Sequence, residues 1–191
     1  MPKLRRRTHL LDTAAEIVRT EGTEALTLAR LAQQCGLTKP VAYQHFGTRS
    51  GLLIALYHQL GERHTNTVTA ALQEIESKVD IFDFFKIMSQ SFVDCVLENG
   101  AVYSAISAAL AATEEMGDFR QTIREELINH YLTLINPYIK QSTRNRRLLL
   151  IGFLGAAESL SEAAARKTIT RSEAIETLSA IARFSLLPDN K

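Results

Sequence analysis

The sequence predicts an all-α protein: an amino-terminal three-helix domain carrying a helix-turn-helix, followed by a larger helical domain. Three observations predict it. Apolar residues recur at spacings of three and four from Leu10 onward, the period of a helix face, and strand-like alternation is nearly absent. Gly22, Gly36 and Gly47 cut the first fifty residues into three short segments. Beyond them the apolar stretches lengthen, with no internal repeat and no long polar linker. The expected domains are residues 1–50 and residues 51–191.

The first segment, 8–21, places Leu10, Leu11, Ala14, Ile17 and Val18 on one face and stops at Gly22, which takes the left-handed conformation without strain. The second, 28–35, has Thr27 as its N-cap and Gly36 as its stop. The third, 39–46, has Thr38 as N-cap and Pro40 in the first turn, where a missing N–H costs nothing; Gly47 ends it. Thr48 or Ser50 caps a long helix running through Leu52, Leu53, Leu56, Tyr57 and Leu60 towards Ser77. Further helices are expected at 81–98, 101–113, 118–136, 143–167 and 172–186, with breaks at Asn99-Gly100, Met116-Gly117 and 167–170. Pro137 either ends or kinks its helix.

With 46% apolar residues, 9 Gly and 4 Pro in 191, the chain is too apolar for disorder and too poor in Gly and Pro for low complexity. Cys35 and Cys95 are too few for a disulfide framework or a four-cysteine zinc site, and read as small core residues in a reducing compartment. The longest apolar runs, 148–157 and 101–112, fall short of the roughly 20 residues of a membrane span. Asp12 and Glu16 interrupt any signal-like stretch, so a soluble cytoplasmic protein is expected. The formal net charge of +1 is unevenly spread: residues 1–50 hold 8 Lys/Arg against 4 acids, and the rest 14 against 17. A basic head on a mildly acidic body points to a polyanion partner for the head.

Two short helices joined by Gly36-Leu37-Thr38 have the dimensions of a helix-turn-helix. Ala32 lets the helices cross closely, Gly36 permits the sharp turn, and Ala42 faces back into the crossing. Leu28, Leu31, Leu37 and Phe46 supply apolar contacts. With Ala42 and Phe46 inward, helix geometry turns Pro40, Val41, Tyr43 and Gln44 outward, towards what a major groove would meet.

Residues 10–56 resemble the DNA-binding domain of TetR-family transcriptional regulators. The likeness rests on the leading amphipathic helix, Glu21-Gly22, Thr27, Leu31-Ala32, Gly36-Leu37-Thr38, Tyr43-x-His45-Phe46, and a polar turn with Arg49 before Leu52-Leu53. Thr23 departs from it, standing where an aromatic commonly follows the glycine, as does Ser50-Gly51, which replaces acidic residues at the start of the fourth helix. The resemblance implies a sequence-specific transcriptional regulator, a repressor released from a palindromic operator when a small molecule binds the carboxyl-terminal domain. By chemistry, the Gln44 amide pairs with adenine, Lys39 donates to guanine, and Val41 offers methyls to thymine. Tyr43, His45 and Arg49 look like phosphate contacts, as do Thr27 and Thr38 through hydroxyls and adjacent helix N–H groups. Pro40 belongs to the same face. Arg5-Arg6-Arg7 reads as a flexible basic tail, lying along the DNA backbone or entering the minor groove as an arm.

A single recognition helix reads few base pairs, so a homodimer is expected. Its seam would be the last two helices, with Leu149, Phe153, Ala156 and Leu160 beside Gly152 and Gly155 on one, and Ile175, Leu178 and Ile181 on the other. Each of these residues taken singly also suits a monomer core. In this family the middle region commonly encloses an effector pocket, which suggests Phe85, Phe92, Tyr103 and Phe119 as walls and His130 and Glu158 as polar handles. Aromatics at helical spacing more often serve a core than a pocket. An effector that prefers one spacing of the two heads shifts the molecule by its differential affinity alone. No catalytic residue, metal site or cofactor is expected: His58 and His64, six apart, align poorly on a helix, and no nucleophile-elbow or phosphate-loop pattern occurs. The alternative is a ligand-independent architectural or partner-binding helical DNA-binding dimer.

Overall fold

A computed structural model of the chain describes residues 3–73, 80–111 and 114–186. Its elements among those residues are α1 (Lys3–Glu21), α2 (Leu28–Gln34), α3 (Lys39–Phe46), α4 (Arg49–Gln73), α5 (Ile81–Leu110), α6 (Glu114–Ile135), α7 (Thr143–Ala165) and α8 (Arg171–Leu186). The protein is all-α, as its sequence period requires. Two compact units divide it: Met1–Glu62 with Ala101–Ile123, and Arg63–Gly100 with Arg124–Lys191. Their boundaries fall inside α4, α5 and α6.

In the first unit, α1 buries the face its periodicity defines, Leu10, Leu11, Ala14, Ile17 and Val18. The same core takes Leu31 and Ala32 of α2, Ala42 and Phe46 of α3, and Leu52, Leu53 and Leu56 of α4. Val102, Ile106, Leu110 and Ile123 complete it. Each large aliphatic side chain so buried contributes about 1.5–3 kcal/mol. The first helix begins at Lys3 rather than residue 8, so Arg5, Arg6 and Arg7 are helical and not a flexible tail. Nothing in Lys-Leu-Arg-Arg-Arg breaks a helix, and these residues favour one.

Turns in this unit close as local chemistry dictates. The Thr27 hydroxyl accepts from the Arg30 N–H at 3.0 Å, capping α2. At its other end, Leu37 N–H donates to the Ala32 carbonyl at 2.8 Å and Gly36 N–H to Gln33 at 3.1 Å, with Gly36 at φ +63°. That pair of bonds is a Schellman motif. Thr48, not Ser50, caps α4, its hydroxyl accepting from the Gly51 N–H at 3.0 Å. Gly51 itself is imposed by crowding: a Cβ there would lie 2.2 Å from the Phe46 carbonyl oxygen. The departure from an acidic residue at this position therefore has a packing cause.

The second unit has its own core, with Phe84, Phe85, Met88 and Phe92 of α5, Ile128, Tyr131 and Ile135 of α6, Leu150, Phe153, Leu154 and Ala157 of α7, and Leu178 and Ala182 of α8. Here the expected breaks mislead. The fifth helix runs unbroken through Asn99-Gly100 to Leu110. The Asn99 side chain donates to the Cys95 carbonyl at 3.1 Å, and a Cβ at Gly100 would only touch Val96 and Ala165. Gly117 lies within the opening turns of α6, where a Cβ would meet nothing, so it does not interrupt the helix. Pro137 ends α6 rather than kinking it: the last helical residue is Ile135, and Tyr138 N–H closes a turn onto its carbonyl at 3.0 Å. The expected extension to Ser77 and the end at residue 113 lie outside the described residues.

Helix starts in this unit are capped by side chains. Asp80 accepts from the Phe82 and Asp83 N–H groups, Ser142 from Asn145, and Thr170 with Glu173 forms a reciprocal capping box. One α7 stop is unusual, since Lys167 holds the left-handed conformation (φ +61°). α7 is also the described helix long and apolar enough to cross a membrane. Its Leu150, Phe153, Leu154, Ala157 and Ala164 are buried in this unit, and its Glu158 and Arg147 pair with Arg124 and Glu125 of α6, so it is a core helix.

Candidate nucleic-acid interface

The eight residues of α3 divide by face. Ala42 is wholly inaccessible and Phe46 nearly so, one turn apart on the inner side. Lys39, Pro40, Tyr43 and Gln44 are exposed, Tyr43 by 53%, while Val41 and His45 are half-buried. The outward set expected from the sequence is thus presented, with Val41 only partly so. Thr38 is exposed and its hydroxyl makes no capping bond, leaving an oxygen and the first-turn backbone open to an anion. Thr27 is exposed as well, although its hydroxyl already caps α2.

Arg49 is placed differently from a free cation. Its Nε donates to the Leu26 carbonyl at 2.9 Å and its Nη2 to Thr23 at 2.6 Å, and it pairs with Glu24 at 3.3 Å. The guanidinium ties the start of α4 to the loop before α2. Arg30 likewise pairs with Glu21, and Arg19 with Glu16. Charge counting could not foresee this, because the partners of Arg49 are carbonyls 23 and 26 residues away.

The residues suggested for a pocket do not gather in one unit. Phe85, Phe92, His130 and Glu158 belong to the second, whereas Tyr103 and Phe119 belong to the first. Phe85 and Phe92 are core side chains. Glu158 accepts from Arg124 through both oxygens, at 2.8 and 3.0 Å. His130 is exposed, 3.4 Å from the Thr69 hydroxyl. Tyr103 stacks on Tyr57, their hydroxyls 3.0 Å apart, and Phe119 packs against the first core. The structure adds a buried polar pair that the sequence does not announce: His64 Nε2 lies 2.7 Å from the Tyr131 hydroxyl, with the Phe92 ring edge-on at 5.1 Å. Burial lowers the His64 pKa to about 4, and raises that of Tyr131. A lone histidine on an amphipathic helix, His64 carries no sequence sign of its partner.

Of the residues suggested for a seam, Phe153, Ile175 and Leu178 are buried within their own chain, Leu149, Ala156 and Leu160 are half-buried, and Ile181 is exposed. Leu148, Ile151 and Phe184 are exposed too, Phe184 by 75%.

The helix-turn-helix geometry and its outward face define a DNA-binding class of domain. Residues 10–56 match the family model described as bacterial regulatory proteins, tetR family. Over those residues the chain thus carries a domain similar to the N-terminal domain of TetR-family regulators. It is 28% identical over 107 residues to the HTH-type transcriptional activator FasR of Mycolicibacterium smegmatis, a span of 56% of this chain and 47% of that protein. To the HTH-type transcriptional regulator BetI of Rhizobium meliloti it is 31% identical over 68 residues, 36% of this chain and 34% of that one. The chain thus spans less than half the length of these curated relatives. In fold it is similar to a TetR-family transcriptional regulator from Rhodococcus sp., with a TM-score of 0.76 at 17% identity, covering 96% of this chain and 100% of that one.

Proposed function

We propose that this protein is a sequence-specific DNA-binding transcriptional regulator and not an enzyme, working as a cytoplasmic homodimer on a palindromic operator. Residues 1–50 form the DNA-reading domain, and residues 51–191 bind a small-molecule effector and hold the dimer. The observation that carries this reading is α3, which anchors Ala42 and Phe46 inside and offers Lys39, Pro40, Tyr43 and Gln44 to solvent. Gln44 reads adenine and Lys39 guanine; Tyr43, Thr38, Thr27 and His45 hold the phosphates. The apolar side chains left exposed on α7 and α8, Leu148, Ile151, Ile181 and Phe184, favour these two helices as the seam. Repression is the proposed sign, relieved when an effector binds the DNA-incompetent arrangement better.

Duplexes recovered from a random library test the reading. Competition with unrelated DNA at moderate salt leaves the recovered duplex bound, Gln44→Ala changes the preferred base, and Tyr43→Phe weakens all duplexes alike. Equal displacement by unrelated DNA would leave an architectural, ligand-independent DNA-binding dimer instead.

A further inference from the structure

Arg7 is one of eight cations in the first fifty residues, and it points at protein rather than solvent. Its Nη1 donates to the His45 carbonyl at 3.1 Å, and its Cζ stands 5.0 Å from the centre of the Phe46 ring. His45 lies in the last turn of α3, where carbonyls lack partners of their own helix. Gly47 N–H takes the Tyr43 carbonyl at 2.8 Å, Thr48 N–H takes that of Phe46 at 2.7 Å, and Arg7 takes that of His45. The guanidinium also meets the negative end of the helix dipole and the face of an aromatic ring.

An eight-residue helix is too short to hold its own direction. Its buried anchors, Ala42 and Phe46, hold its inner face. Arg7 adds a polar grip from α1 at the carboxyl end, on the His45 carbonyl. We propose that Arg7 is a positioning residue for DNA reading: it clamps the carboxyl end of α3, so fixing where Tyr43 and Gln44 point, and touches no phosphate. The inference rests on the DNA-reading function proposed above. It also reassigns the basic cluster, since one of its three arginines serves the protein instead of the polyanion.

The experiment compares wild type, Arg7→Met and Arg7→Lys on library-selected duplexes across a salt series, with thermal unfolding of each protein. Each neutralised phosphate contributes about −0.9 to the log–log salt slope, so removing one phosphate ligand from each protomer changes a dimer's slope by about 1.8. Arg7→Met is expected to weaken binding about tenfold at every salt concentration, the scale of one charged hydrogen bond, with the slope of wild type. It also blurs the base preference, and Arg7→Lys restores most of both. A slope shallower by about 1.8 in Arg7→Met would make Arg7 a phosphate ligand and overturn the proposal. Wild-type affinity and base preference in folded Arg7→Met, whatever its melting temperature, would overturn it as well. A wild type that ranks all duplexes alike removes the DNA-reading function itself, and Arg7's part in it; failure confined to the variants removes only the Arg7 assignment.

Discussion

The two compact units are held by different means. In the first, backbone geometry and arginine–carbonyl bonds close the corners: Gly22, Gly36 and Gly47 are left-handed, Gly51 leaves no room for a side chain beside the Phe46 carbonyl, and Arg7 and Arg49 donate to main-chain oxygens. In the second, long helices are laced side chain to side chain, by Arg124 with Glu158, Arg147 with Glu125, and Arg171 with Asp94. The difference is sharpest at α2 and α3, the two shortest helices. Helices of seven and eight residues gain little from their own hydrogen bonds and depend on what fixes their ends. Helices of 22 to 30 residues close most of their backbone bonds internally, and side-chain pairs register them over their shared core.

Three measurements bear on that contrast. The largest effect is expected at His64, the buried imidazole of the side-chain-built unit. Its folded pKa of about 4 lies below the ordinary value of 6.5, so its stabilisation is complete above pH 6.5. It is lost as pH falls towards 4, because the unfolded chain takes up the proton first. At about 1.4 kcal/mol per unit, urea unfolding should show wild type losing roughly 3 kcal/mol over this window relative to His64→Gln. Parallel pH curves for the two proteins would break the assignment.

Next is Gly51→Ala, aimed at the backbone-built unit. The added methyl forces the join between α3 and α4 apart, at roughly 2 kcal/mol, the usual scale of overpacking. Thermal unfolding should register the loss, and hydrogen exchange should quicken in α3 before it does in α7. Unchanged exchange in α3 would mean the corner tolerates movement. The smallest effect has the opposite sign. Lys167→Gly relieves a left-handed lysine and should stabilise by about 1 kcal/mol, read as a higher melting temperature. No gain would show that the corner of α7 is already relaxed.

What can be read in the sequence follows the same division. The stops at Gly22, Gly36 and Gly47, the Thr27 cap and the inward pair Ala42 and Phe46 are local signals, complete within a few residues, and the structure has them where the spacing puts them. Arg7 and Arg49 look in the sequence like cations for a polyanion because their carbonyl partners are 23 to 38 residues distant. Asn99-Gly100 is no break because the apolar face on either side continues in phase, which outweighs the poor helix propensity of two residues. The aromatics suggested for one pocket share a residue type, and type does not say which core a side chain joins; Phe85 and Tyr103 join different ones.

A Cβ on residue 51 would stand 2.2 Å from the Phe46 carbonyl oxygen, so the joint between α3 and α4 closes only over a hydrogen. Every substitution at that position therefore asks one of the two helix ends to move.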